Sequence, residues 1–516
     1  MLINGRSANC QQNIIESRRI FAIIELMSRE ADMTKRVLMP LLIILLLSGA
    51  AYAVKADDAA IRILNNQLQL LALLPEGQEF ADDLRSMSRG DLNLQLELRE
   101  GIEQDIAAFW KRRGVPLAFN TLPLDANSLS RALALEPQED DYLATSSRIR
   151  YLIWLAERHQ WPRLDPGGWL RPGDSHLLIP TIAKRLYWLG DLSSEPGDNK
   201  VYSPQLASAV EAFQSRHGLK TDAIIGPDTL RWLNTEPLQR ARMLAGNFVA
   251  RTVYKQQLGK RYLLVNIPAF ELTLVDDNQV QLRSRVIVGK PYRQTPLLSS
   301  EVSNIVLNPT WTVPRGILRR DLLPQIRKDG EYLQQRHFNV YDYQGNRVEE
   351  SAEAWQKEAS GRFPYRLVQQ PGADNALGRY KFHFSNGFNV YLHDTPDKHL
   401  FAKANRALSS GCIRVDKVEE LASWMANNLV RDKRTWQRMQ SDYQTTQWFA
   451  FEQRLPVHLV YWTAWMDERE RAQFRSDIYQ LSPGVKVALG AQTIRNTELA
   501  HKAEQRQGRE EHLLRP

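Results

Sequence analysis

Cysteine is nearly absent from this chain: its 516 residues include two, Cys10 and Cys412. Cys10 precedes a segment that reads as an export signal, so Cys412 stands without a disulfide partner and a disulfide-stapled fold is excluded. Metal-ligand clusters are missing too. The ten histidines form no H-E-x-x-H pairing and no cysteine cluster joins them, so no metal and no other cofactor is expected. Low-complexity tracts are absent, and the formal charge of +8 is not gathered into an Arg/Lys stripe with interleaved aromatics. Nucleic acid is therefore not an expected partner. An anionic surface or a carboxylate-rich polymer suits the charge better.

What is present is ordinary globular composition, 43% hydrophobic and 24% charged, with length for two or three cored domains. Lys35 and Arg36 precede an uncharged apolar run from Val37 to Leu47, followed by Ser48-Gly49-Ala50-Ala51-Tyr52-Ala53. This order of basic, apolar and small residues reads as a secretory signal, with cleavage expected after Ala53. An uncleaved anchor is the alternative, although the run is short for a bilayer span. Residues 1–53 are thus an N-terminal extension and signal, and Met33 is a candidate true start. Residues 481–516 form a polar C-terminal tail. The remainder is expected to work in the periplasm of a Gram-negative bacterium, touching the inner membrane only through an uncleaved signal. A single thiol kept in an oxidising compartment is not there for stapling.

Residues 57–176 read as a helical scaffold: Ile61, Leu64, Leu68 and Leu71 recur at helical spacing, as do Leu152 and Leu155. Residues 177–235 are more sharply drawn. Ile182, Leu186 and Leu189 make one apolar stripe closed by Gly190. Ser203 caps a second helix that starts with Pro204, carries Leu206, Val210 and Phe213, and stops before Gly218. A turn through Gly226 and Pro227 opens a third.

From Arg261 the period becomes two. Phe270, Leu272 and Leu274 alternate with polar residues, Asp276-Asp277-Asn278 makes a turn, and Val280, Leu282, Val286 and Val288 follow. Further strands are expected at Asn304–Leu307, Lys381–Phe384, Val390–His393 and Val457–Ala464, so residues 255–480 predict a mostly β domain. A charged and aromatic insertion at about 312–370 interrupts it as a cap, with helix signals at Ile317–Lys328 and Ala352–Glu358. The expected fold class is multidomain α+β: a mostly β domain with a helical capping insertion, a helical scaffold, and a small three-helix domain.

Cys412 lies in Ser409-Ser410-Gly411-Cys412-Ile413-Arg414, and His393 lies 19 residues upstream in Tyr391-Leu392-His393-Asp394-Thr395-Pro396. A lone thiol and a histidine at a strand end suggest a nucleophile with its base, beside the plainer reading of a small buried hydrophobe. Alternation turns Val390 and Leu392 to the core and Tyr391 and His393 to the other face. Asp416, with Glu419 three residues on, reads as the cap of a helix carrying Val418, Leu421, Met425 and Leu429. That helix start favours thiolate modestly, and an imidazole neighbour would do more by forming a thiolate–imidazolium pair. Gly411 lets the backbone approach a substrate carbonyl. The Cys412 N–H, with Gly411 or the Tyr391 hydroxyl, is a candidate oxyanion donor. Arg414 is a candidate carboxylate contact, weighed against a structural ion pair. Ser410 and Ser409 are candidate substrate contacts.

At these residues the chain resembles the L,D-transpeptidases, YkuD-type cysteine enzymes that remodel peptidoglycan. Their signature is a histidine, a spacer, then Ser/Thr-His-Gly-Cys followed by an apolar residue and Arg or Asn. Gly378-Arg379-Tyr380-Lys381-Phe382 is similar to that family as well. The pattern A-V-x-x-F-Q-x-x-x-G-L-x-x-D-x-x-I-G-x-x-T from Ala209 to Thr229 resembles the peptidoglycan-binding module attached to many wall enzymes. One position departs: Ser410 stands where many members carry histidine, which leaves His393 as the base.

The resemblance implies a YkuD-like catalytic domain of the large multidomain subgroup, with a scaffold domain and a capping insertion. It implies acyl transfer, in which Cys412 attacks the carbonyl at position three of a tetrapeptide stem and D-alanine leaves. A side-chain amine of a second stem then takes the thioester, forming a 3-3 cross-link. It implies as well that a backbone carbonyl near Asp394 orients His393. Expected partners are peptidoglycan stem peptides and glycan, with other cell-wall synthesis proteins as further candidates. Two alternatives stay open: an L,D-carboxypeptidase that gives the same thioester to water, and a non-catalytic peptidoglycan-binding protein.

Overall fold

A computed structural model of the protein describes residues 56–481, Leu124 excepted. The signal-like segment and most of the polar tail lie outside the described residues. The chain divides into two compact units. One holds residues up to Asn66, Arg85–Ala108 and Leu117–Glu136; the other holds Gln67–Leu84, Phe109–Pro116 and the residues from Pro137 onward. Among the described residues no helix is long and apolar enough to cross a membrane.

The first unit is helical, and its buried Glu103 carboxylate is matched by Arg131 at 2.6 Å and Arg99 at 3.5 Å. Such a carboxylate is tolerated only because it is paired. The predicted stripe Ile61, Leu64, Leu68 and Leu71 is buried along the helix at 56–71, which belongs to the first unit as far as Asn66 and to the second from Gln67.

From Pro137 onward the second unit continues with a helix at Tyr142–Arg158, which buries Leu152 and Leu155. Three helices follow at Ile179–Leu189, Pro204–Arg216 and Pro227–Asn234. Their ends obey the local chemistry. Gly190 takes a left-handed φ of 86°, and the Ser203 hydroxyl accepts from the Leu206 N–H at 3.2 Å. Between the second and third helices the Gln214 amide accepts from the N–H groups of Asp222 and Ala223, each at 3.0 Å, fixing that turn. A helix at Pro237–Lys255, which periodicity left unassigned, starts at a capping box of Glu236 and Gln239. Arg251 and Lys255 on it pair with Asp141 and Glu139.

The β domain opens with β1 (Tyr262–Asn266), β2 (Glu271–Asp276), β3 (Gln279–Gly289) and β4 (Leu298–Leu307). The insertion carries β5 (Trp311–Thr312), β6 (Phe338–Tyr341), β7 (Arg347–Val348) and β8 (Arg366–Gln369). The main sheet resumes with β9 (Tyr380–Phe384), β10 (Leu392–His393), β11 (Ala407–Ser409), β12 (Ile413–Val415) and β13 (Gln447–Val460). Nine strands run in the order β11-β3-β12-β10-β9-β4-β13-β1-β2, and β2 pairs with β3 as well, so the sheet closes on itself. Its interior is filled by Leu272, Leu274, Val286, Val288, Phe382 and Leu392, against which Leu421 and Met425 of the helix Val418–Asn428 pack. The alternation read from the sequence is the burial pattern of β2.

The insertion departs from a purely helical cap. Its helices at Leu323–Lys328 and Ala352–Ser360 are those expected, but they pack on a separate four-stranded sheet, β5-β8-β6-β7. Val313, Ile326, Leu333, Trp355, Phe363 and Leu367 give it a core of its own. Strands of two to four residues leave too short an alternation to read.

A hairpin of β14 (Ala464–Met466) and β15 (Ala472–Phe474) meets the three-helix segment. Arg216 is bound by Asp191 and donates to the Ala472 carbonyl, while Arg475 returns a bond to the Arg216 carbonyl at 2.9 Å. The buried His217 ring stacks on Phe474, with centroids 5.5 Å apart.

Candidate active site

Strands β10 and β12 are parallel neighbours, with Leu392 opposite Ile413 and His393 opposite Arg414. The Ile413 N–H donates to the Tyr391 carbonyl at 3.1 Å, which sets Cys412 beside Tyr391. With a period of two, Leu392 and Ile413 enter the core, and both are fully buried. Tyr391, His393, Cys412 and Arg414 therefore share the opposite face of the sheet. The two candidate reacting side chains come from adjacent strands.

His393 is buried, and its Nδ1 lies 2.5 Å from the Asp394 carbonyl oxygen. A carbonyl can only accept, so Nδ1 carries the hydrogen and Nε2 keeps the lone pair. The Asp394 carboxylate does different work, accepting from the N–H groups of Thr395 at 2.7 Å and Arg379 at 2.8 Å and pairing with Lys398. Burial, then the nearby Arg414 guanidinium, lowers the His393 pKa to about 3 against the pull of the Asp394 carbonyl. The imidazole is neutral at physiological pH.

Cys412 is half-buried, and its sulfur lies 3.9 Å from the Asn389 carbonyl. Burial pushes the thiol above its ordinary range, while the Tyr391 backbone N–H and hydroxyl pull it back. Burial thus favours a neutral thiol and a neutral imidazole at rest over the expected thiolate–imidazolium pair. Desolvation of both groups disfavours the charged forms. The expected cap is corrected as well: the helix Val418–Asn428 starts without a side-chain cap, and Asp416 instead pairs with Arg285, Nε to Oδ2 at 2.9 Å.

The nucleophile loop is held from inside. Gly411 has φ 121°, a conformation that a side chain would strain. The Ser409 hydroxyl accepts from the Gly411 N–H at 3.1 Å and donates to the Cys412 carbonyl at 2.6 Å. Thr295 donates to the Gly411 carbonyl at 2.7 Å and is itself fixed by Tyr479, whose hydroxyl meets the Thr295 N–H at 3.1 Å. Ser409 is therefore a buried brace and not a substrate contact. The Gly411 N–H, being engaged, is not an open oxyanion donor. The Cys412 N–H donates to no protein acceptor among the described residues.

Tyr391 stands over the thiol. Its ring lies 5.6 Å from the His393 ring, and its hydroxyl faces both the Cys412 sulfur and the Trp311 indole of β5. Burial holds its pKa well above the usual phenol value, so it remains a donor at neutral pH. Arg414 donates to Asp397 at 3.1 Å and to Thr395 at 3.3 Å. Arg414 thus makes the structural ion pair that was weighed against the carboxylate contact. Ser410 is exposed, and its hydroxyl accepts from Arg293 at 2.7 Å.

Sequence reading brought out Cys412, His393, Tyr391 and the Asp394 carbonyl. It missed Arg293, Thr295, Trp311 and Tyr479, none of which lies near the Gly-Cys pair in sequence. The segment Gly289–Thr295, rich in turn residues between two strands, carries the one local signal, a loop of special conformation.

Residues 260–438 match the family model described as "L,D-transpeptidase catalytic domain" (YkuD), and residues 176–233 match "Putative peptidoglycan binding domain". A Haemophilus influenzae protein named "Putative L,D-transpeptidase" is 39% identical over 205 residues, covering 40% of this chain and 41% of that relative. The match thus spans less than half the length of that protein. Among solved structures, an L,D-transpeptidase (Yku) from Stackebrandtia nassauensis aligns at 12% identity and TM-score 0.23, over 56% of this chain and 94% of that one. An L,D-transpeptidase from Mycobacterium smegmatis aligns at 13% identity and TM-score 0.19, over 39% of this chain and 58% of that one. Residues 260–438, which carry His393 and Cys412 on one sheet face, are thus similar to the YkuD L,D-transpeptidase catalytic domain, and the segment ahead of them is similar to a peptidoglycan-binding domain.

Proposed function

We propose that the protein is a periplasmic peptidoglycan L,D-transpeptidase, exported by the segment around Val37–Ala53, that forms 3-3 cross-links through a thioester on Cys412. The observation that carries this reading is the His393 imidazole, neutral and held by the Asp394 carbonyl at 2.5 Å, on the sheet face that bears Cys412. In the first step His393 Nε2 takes the thiol proton as the sulfur attacks the carbonyl of the third stem residue. The tetrahedral oxyanion finds donors in the Cys412 N–H and the Tyr391 hydroxyl. Collapse breaks the amide bond, and the imidazolium returns its proton to the departing D-alanine amine. In the second step a side-chain amine of another stem attacks the thioester, His393 accepts its proton, and the thiol is restored.

Neutral starting groups suit this cycle, since charge forms only as the sulfur reacts. The insertion, meeting the site through Trp311 and Asp321, is placed to exclude water from the thioester and so favour the amine. Incubating the mature protein with tetrapeptide muropeptides tests the proposal. Free D-alanine and a 3-3 dimer are expected, both lost in Cys412→Ala. Tripeptide without dimer would identify an L,D-carboxypeptidase, and no product at all would leave a binding protein.

A further inference from the structure

A cleft of about 420 Å³ opens between the three-helix segment and the β domain. One wall is Trp169, Lys220, Asp222 and Asp228; the other is Pro291, Ala404, Asn405 and Ala407. Trp169 is 56% exposed yet fixed in place. Leu170 beside it exchanges two backbone bonds with Ile225, at 3.2 and 2.9 Å, the indole lies against Gly226, and the Arg171 guanidinium stands 5.9 Å from its ring centre. A large apolar ring held rigidly at the mouth of a cleft is a stacking platform.

The charged groups that line it balance in sign, Lys220, Arg231 and Arg475 against Asp222, Asp228 and Asp477, with Arg475 held by the Arg216 and Phe474 carbonyls. Lys220 pairs with Asp222 at 3.2 Å, Arg231 with Asp228 at 3.3 Å and with the Ser476 hydroxyl at 3.0 Å, and Asp477 takes the Tyr461 hydroxyl at 2.6 Å. A ligand carrying net charge would have to break such pairs. A neutral, hydroxyl-rich ring with one apolar face would not, because it can share their outer lone pairs and protons while stacking on the indole. That chemistry is a saccharide's.

Position adds a second argument. Ala407 precedes Cys412 by five residues, which no chain can stretch beyond about 17–18 Å. Pro291 is closer still in effect, since Arg293, two residues on, bonds Ser410. Three stem residues and the lactyl link that joins them to the sugar reach a comparable distance, roughly 15 Å.

We propose that this cleft binds the glycan strand, so that a sugar resting on Trp169 delivers its own stem to Cys412. The proposal rests on the transferase reading above. Trp169 lies ahead of the matched peptidoglycan-binding segment and the far wall belongs to the catalytic domain, so neither domain alone makes the site.

The test uses the mature protein and amidase-stripped glycan strands, which carry no stems. Wild type is expected to bind them, and Trp169→Ala to weaken binding by about fivefold or more. Ala404→Trp, which fills the cleft from the opposite wall, should do the same. In turnover, both variants should raise the ratio of KM for glycan-linked stems to KM for free stems. Strands that bind both variants as tightly as wild type, or that fail to bind wild type, overturn the proposal. Failure of wild type to process free stems would instead overturn the transferase reading, since strand binding is measured separately.

Discussion

Arg293 grips Asp321 with two guanidinium bonds, at 2.7 and 3.1 Å. Its Nη1 also reaches the Ser410 hydroxyl at 2.7 Å. One side chain thus ties the insertion to the residue two places before the nucleophile. Asp321 in turn holds the Arg293 charge, raising its pKa. Charge-assisted pairs of this kind are worth about 1.5–3 kcal/mol each. Arg293→Ala is expected to lower dimer formation by roughly tenfold and to shift products toward free tripeptide, with Arg293→Lys intermediate because lysine lacks the fork. An unchanged dimer-to-tripeptide ratio would reduce the strap to decoration.

Gly378 lies behind the histidine. It has φ 59°, and a Cβ there would sit 2.4 Å from the Asp394 Cγ. Gly378→Ala should therefore cost about 2–4 kcal/mol, through strain and overpacking, and disturb the carbonyl that orients His393. Gly173→Ala, also at positive φ but with nothing within 4 Å of the added methyl, is the control and should cost about 1 kcal/mol. Chemical denaturation of the two variants, beside their turnover, checks the difference.

Thiol reactivity distinguishes a neutral resting pair from an ion pair. Burial raises the Cys412 pKa above its ordinary value and lowers that of His393 to about 3. Iodoacetamide alkylation of Cys412 should climb with pH through a midpoint above the usual cysteine range. The acid limb of turnover should stay flat below pH 6, because His393 remains an unprotonated base there. A reactivity plateau already reached below pH 7 would mean that thiolate and imidazolium coexist at rest.

Three buried histidines link stability to pH. His393 is lowered to about 3, His458 to about 4, and His217 well below its ordinary value, in every case chiefly by burial. Folded values below the unfolded value of about 6.5 mean that the unfolded chain binds more protons as pH falls. Stability is full above about pH 6.5 and declines from there toward pH 4, by up to roughly 1.4 kcal/mol per group per pH unit. Thermal unfolding between pH 5 and 7 measures it. A midpoint that rises on acidification would contradict the buried, neutral assignment.

Local rules carried much of the architecture. Ser203 and Gly190 announced their caps, and the alternation around Leu272 and Leu274 announced its strand. His393 and Cys412 were legible because a motif holds each in a short stretch of sequence. Asp416 misled, since its carboxylate answers to Arg285, 131 residues away, and not to the helix that follows it. Thr295 and Gly411, 116 residues apart, meet only once the sheet has closed. Neither pairing leaves a period or a cap in the sequence. The sheet of the insertion escaped for a related reason: strands as short as Trp311–Thr312 have no alternation to show.

The most direct test of a nucleophilic Cys412 is intact-protein mass spectrometry after exposure to a carbapenem, whose strained amide opens onto the attacking sulfur without losing mass. Wild type should gain the full mass of the drug, mapped by peptide digestion to Cys412, with the gain abolished in Cys412→Ala and slowed at least about tenfold in His393→Ala. A modified Cys412→Ala protein, or a wild-type thiol left untouched, would contradict the account at its base.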